Sequence, residues 1–162
     1  MKKLTALVLG VLLVAGCHKQ PPSTATEPAR ASGGSTTGGA DARAAVLGFL
    51  NAAKSQDLQA LAGYWGTTQG SARTNGIIPR QEMERRELIM LCYLDHQSHQ
   101  IMADAPGPNS ERVVAVEMKS GPLTRTAKFY AVRAGDGRWY VRTFDMEALT
   151  DFCKDKGRSS KP

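Results

Sequence analysis

Residues 112–133, RVVAVEMKSGPLTRTAKFYAVR, decide the fold. In VVAVEM and again in KFYAVR every second position is apolar and β-branched, aromatic or small, the two-residue period of a half-buried strand. Only Ser120, Gly121 and Pro122 interrupt the pattern. A break that short permits a hairpin but no crossover, so strands over 112–119 and 123–133 are expected to run antiparallel. Moving outward, Gly135, Asp136 and Gly137 form a turn signal before a strand over 138–144 (RWYVRTF). Upstream, Pro106, Gly107, Pro108 and Asn109 turn the chain after a strand over 99–104. The reading is a four-stranded antiparallel sheet. Its alternation puts Val114, Val116, Phe129, Ala131, Trp139 and Val141 on the inner face, with Glu117 and Lys128 on the other unless a bulge exchanges them. No carboxylate falls on the inner face, so acid–base catalysis gains no support.

Before residue 98 the period is helical. Asp41 is an N-cap for 41–54 (DARAAVLGFLNAAK), where Ala45, Val46, Phe49, Leu50 and Ala53 share one side; Gly48 weakens that helix slightly. Asp57 caps a second helix through Tyr64, with Leu58, Leu61 and Ala62 inward. Residues 65–79 (WGTTQGSARTNGIIP) form a loop of unusual length and are the candidate lid. Pro79 opens a third helix over 80–93, its apolar side expected on Met83, Leu88, Leu91 and Cys92, widened by Ile89 and Met90. Its charges, Glu82, Glu84, Arg85, Arg86 and Glu87, read as a solvated face with Glu82 and Arg86 four apart. Asp145 caps a short final helix through Phe152, with Met146, Leu149 and Phe152 packing back. The class is α+β, in one domain over 41–155.

The two ends are not part of that domain. Residues 1–16 open with Lys2 and Lys3 and continue as eleven apolar-rich residues, LTALVLGVLLV, too few to span a membrane, which takes about 20. They read as a signal peptide. Residues 17–40 are rich in Pro, then in Gly, Ser and Thr, and read as a disordered tether; residues 156–162 read as a basic disordered tail. The whole-chain charge of +6 comes from these ends. Residues 41–155 carry equal numbers of basic and acidic side chains, which argues against a nucleic-acid partner.

The segment Leu13-Val14-Ala15-Gly16-Cys17 resembles the lipobox of bacterial lipoproteins. The resemblance implies cleavage before Cys17, thioether attachment of a diacylglyceryl group to its thiol, and further acylation (palmitate-type chains) of its amine. Two or more acyl chains hold a protein firmly at a membrane. His18, in place of the aspartate that retains many lipoproteins at the inner membrane, implies the outer membrane of a diderm cell envelope. The element order, with AAVLGFLNAAKSQDLQAL, VVAVEM, FYAV and GDGRWYV as carriers, resembles the cone-shaped nuclear transport factor 2-like, or cystatin-like, superfamily. That superfamily holds isomerases, cyclases and dehydratases as well as binding modules, so fold alone does not choose a function.

With Cys17 acylated, Cys92 and Cys153 are left as a pair in an oxidising compartment, either bridged or as two buried thiols. If the third helix continued, Cys92, His96 and His99 would share a face as a three-ligand metal set; a solvated turn is the plainer reading. No cofactor is called for. Tyr64, Trp65, Trp139 and Tyr140 are the aromatic candidates for a ligand pocket, against ordinary roles in the core. The expectation is an anchored, non-catalytic binding module for an envelope protein, polymer or small ligand. The alternative is a small-molecule enzyme using the cone.

Overall fold

A computed structural model describes residues 37–159, with side chains through 154. The signal peptide, Cys17 and most of the tether lie outside the described residues. Within them the protein is α+β: helices α1 (Ala42–Ser55), α2 (Leu58–Tyr64), α3 (Arg80–Tyr93) and α4 (Thr150–Ser159) accompany a four-stranded sheet. The sheet is formed by β3 (Ser98–Pro106), β4 (Arg112–Ser120), β5 (Leu123–Arg133) and β6 (Trp139–Phe144), antiparallel in the order β3-β4-β5-β6. A small second sheet pairs β1 (Gly66–Thr67) with β2 (Gly70–Ser71).

Local chemistry explains the boundaries. Asp41 Oδ1 accepts from Ala44 N at 2.7 Å and Asp57 Oδ1 from Ala60 N at 3.0 Å, so both expected caps form and α1 and α2 make a helical hairpin. Gln56 adopts φ 57° between them and ends α1. Gly48 in α1 leaves room for the ring of Tyr64, which a Cβ there would strike, so the residue that lowers helix propensity also lets the hairpin close. Asp145 accepts from Ala148 N at 3.2 Å and starts a 3-10 turn, Glu147–Leu149, that leads into α4. The helix then runs to Ser159, into the stretch 156–162 expected to lack structure.

The core lies between α1 and the inner face of the sheet. Phe49 meets Phe129 edge-on at 6.4 Å and Phe144 at 6.2 Å, while Phe129 and Phe144 stack at 5.5 Å. Val114, Val116, Phe129, Ala131 and Val141 are fully buried, as the alternation requires, and Trp139 is half-buried against them. One departure comes from a bulge: Tyr130 pairs with Thr143 and Ala131 with Val141, so Arg142 has no partner on β5. Both Val141 and Phe144 then turn inward although they are three apart.

Two expectations need correction. The tether does not extend to residue 40, because Gly39 forms an antiparallel bridge with Trp139, and Gly38 N donates to Gly63 O at 2.8 Å. Arg138 clamps the same segment through the carbonyls of Thr37 and Gly38. What reads as linker composition at Gly39 is a close approach: a Cβ there would collide with the backbone of Ala45. Gly39→Ala is accordingly expected to destabilise the domain by about 1–3 kcal/mol. Urea titration checks both sites: Gly135→Ala, where a Cβ meets nothing within 4 Å, should lie within about 0.5 kcal/mol of wild type.

The second correction concerns α3. Its buried residues are Met83, Glu87 and Met90, while Leu88 and Ile89 are 60% and 49% exposed. The apolar residues of this helix are spread around it rather than gathered on one side. The stripe at i, i+4, i+7 that faces inward therefore includes a carboxylate.

Candidate functional site

Helix α3 and the end of β6 bound a hollow of about 210 Å³. Phe49, Met90, Val141 and Phe144 give it apolar walls, and Ile89 and Met146, both exposed, extend them to the surface. Trp65, Arg86 and Arg142 line this hollow and also a second one of about 290 Å³. Residues of the 65–79 segment, among them Thr67, Asn75, Ile77 and Ile78, wall that second space. The three shared residues stand where the two hollows meet.

The segment 65–79 is a wall here rather than a loose lid. Besides the β1–β2 pairing, Asn75 Nδ2 donates to Gly70 O at 3.2 Å, and Ile77 N donates to Asn75 Oδ1 at 3.0 Å. Ser71 and Thr74 hydroxyls meet at 2.8 Å, and Trp65 bridges Val141 in parallel register. The first three bonds hold the segment to itself, and the bridge to Val141 holds Trp65 against β6.

Each arginine is oriented by a carboxylate. Arg142, carried outward by the bulge, donates through Nε to Glu111 Oε1 at 2.5 Å. Glu111 is buried, and its Oε2 has no hydrogen-bond partner. Its hydrogen bond raises the Arg142 pKa above the ordinary arginine value and keeps the guanidinium charged. Arg86 donates through Nε to Glu82 Oε1, one turn back on α3, at 2.8 Å. Arg86 in turn holds the exposed Glu82 carboxyl below its usual range.

Of the four aromatic candidates, the structure brings only Trp65 to the site. Tyr64 packs on Gly48, and Trp139 packs against the core while pairing with Gly39. Tyr140 is buried with its hydroxyl donating to Asp136 Oδ2 at 2.7 Å, which lowers the Asp136 pKa. These three line none of the hollows described. In sequence Arg86 reads as part of a solvated helix face, Glu111 stands just before β4 with nothing to single it out, and no pattern marks the bulge that places Arg142.

Glu87 was missed as well. It is 2% exposed, its Oε1 has no hydrogen-bond partner, and burial, with the nearby Glu84 charge, pushes its pKa up to about 7. It lines none of the hollows described.

The alternative three-ligand set of Cys92, His96 and His99 does not assemble, and the plainer reading of a solvated turn does not hold for His96, which is buried. Cys92 on α3 is joined to Cys153 on α4 by a disulfide, with Cα atoms 4.9 Å apart. His96 is buried; its Nδ1 lies 2.6 Å from Leu94 O and its Nε2 lies 2.8 Å from His99 Nδ1. A carbonyl only accepts, so Nδ1 of His96 carries the proton and, with His96 neutral, His99 donates to its Nε2. Burial lowers both histidine pKa values. Among the described residues no group of three or more His, Cys, Asp or Glu could hold a metal ion, and no helix is long and apolar enough to cross a membrane.

Comparison with protein-family models, with curated proteins and with solved structures finds no significant match to this chain.

Proposed function

We propose that this protein is a lipid-anchored envelope lipoprotein whose domain is a non-catalytic binding module, with a small apolar ligand seated in the hollow between α3 and β6. The observation that carries the reading is the lining of that hollow. It combines apolar walls with two oriented guanidinium groups, and it contains no carboxylate, histidine or cysteine. Such a surface can hold and orient a molecule, but it offers no group that exchanges protons near neutrality.

The interior of the sheet supports the same view. A catalytic cone of the nuclear transport factor 2-like kind would keep an open cavity with an acid or base inside. Here Phe49, Phe129, Phe144, Val114 and Val116 fill that space. The alternative, an isomerase, cyclase or dehydratase, would draw on Glu87, the one buried carboxyl with a pKa near 7 among the described residues. Its position outside the hollows disfavours that reading.

The anchor and the pocket can be tested together. The wild-type chain is expected in the membrane fraction, and Cys17→Ser in the soluble fraction. The soluble variant, screened with small apolar ligands, should gain thermal stability by mass action, and Ile89→Glu at the rim should remove the gain. Membrane retention of Cys17→Ser would sink the anchor. A library without a single stabilising ligand would sink the pocket.

A further inference from the structure

We infer that the ligand of this hollow is an amphiphilic anion: an apolar chain or ring carrying one carboxylate or phosphate, its head placed between Arg86 and Arg142. The inference rests on reading the α3–β6 hollow as the binding site. Arg86 comes from a helix and Arg142 from a bulged strand edge, yet both line the same two hollows beside Trp65. Each gives its Nε to a carboxylate of the protein, and neither guanidinium's Nη groups make a hydrogen bond among the described residues. A planar fork whose Nη groups are not taken up by a protein hydrogen bond among the described residues suits the paired oxygens of a carboxylate or phosphate.

The surroundings favour a head at the rim and a body inside. Both arginine side chains are about half exposed, at 51% and 45%, so the charges stay hydrated until a ligand arrives. The buried part of the lining is Phe49, Met90, Val141 and Phe144, and the polar side chains besides the two arginines are Trp65 and the exposed Thr143, both uncharged. A neutral apolar ligand would leave the guanidinium groups idle, and a cationic one would be repelled. The carboxylate or phosphate could belong to a free acid or to a membrane lipid, and the chemistry recognised is the same.

The test uses the full chain carrying Cys17→Ser, titrated calorimetrically with decanoate, decyl phosphate, decanol and decyltrimethylammonium, each below its micelle concentration. The two anions are expected to bind at least about tenfold more tightly than decanol, a difference of about 1.4 kcal/mol, and the cation most weakly. Arg86→Gln combined with Arg142→Gln should erase the preference for anions and leave decanol unchanged. Arg86→Gln alone, on an exposed helix face, should reduce it partly and guards against misfolding of the double variant. Binding only to vesicles of phosphatidylglycerol in phosphatidylcholine, lost in the arginine variants, would support the inference and identify a lipid head group as the source. Equal affinity for decanoate and decanol would overturn the anionic class and leave the hollow as a site. Failure of every probe and of the vesicles would overturn the site itself.

Discussion

Breaking the Cys92–Cys153 disulfide is expected to lower the stability of the domain by about 4 kcal/mol. The two cysteines lie 61 residues apart in sequence. In the chain-entropy account, opening a loop of that length restores about 14 cal/mol/K to the unfolded chain, which is about 4 kcal/mol at 25 °C. The consequence should be concentrated at α4. That helix docks through Phe152, with Leu149 of the preceding turn, and ten residues make a marginal helix without outside support. Arg125 adds an ion pair to Asp151 at 2.6 Å, but both side chains are substantially exposed and the pair contributes little. The measurement is a thermal melt of the oxidised protein, the reduced protein and the double variant Cys92→Ser with Cys153→Ser. For a domain of this size the loss corresponds to a midpoint lower by on the order of 15 °C. Hydrogen exchange should show α4 opening before the β4–β5 hairpin. Coincident melts in all three samples would refute the assignment of a stabilising role.

Why the strands and caps were legible, while the site was not, follows from the range of the interactions involved. The strands over 112–133 were readable because alternation is a local signal and a three-residue break admits one connection. Asp41 and Asp57 were readable because an N-cap acts within three residues. Helix α3 was not readable in detail. Its bounds followed from Pro79 and the turn after Tyr93, but its rotation did not, because apolar residues occur on every side. What decides the rotation is tertiary: the disulfide ties Cys92 to α4, and the loop and α2 lie against Met83. Leu88 and Ile89 are thereby left outward, and Glu87 inward. The pocket depends on the same rotation, since Ile89 and Arg86 reach its rim only in this setting. The bulge at Arg142 is likewise a property of the β5–β6 pair rather than of either strand. At 37–40, glycine was ambiguous in principle: it serves a flexible linker and a close backbone approach equally well, and only the presence of Ala45 and Tyr140 beside it decides between them.

Glu87→Gln is expected to make the protein more stable at pH 8 and to change it little at pH 5. The folded-state pKa of Glu87, about 7, lies above the 4.5 of an unperturbed glutamate, and burial is the first cause. The folded state therefore holds the proton more tightly than the unfolded chain does. The stability so conferred is complete below about pH 4.5 and is lost as the pH rises through about 7. The difference between 4.5 and about 7 corresponds to about 3 kcal/mol, the cost of burying the charged form with one oxygen unpartnered. His96 and His99 act in the opposite direction. Their pKa values are lowered from 6.5, so the stability they contribute in the neutral form is lost as the pH falls below that value. A single pH–stability curve mixes the two effects, but the difference between wild type and Glu87→Gln cancels the histidines. That difference, from urea unfolding at pH 5, 6, 7 and 8, should grow in favour of the glutamine variant from pH 5 to about 7 and level off by pH 8. A constant difference would mean that the Glu87 carboxyl titrates as an ordinary exposed group and that α3 does not carry it inward.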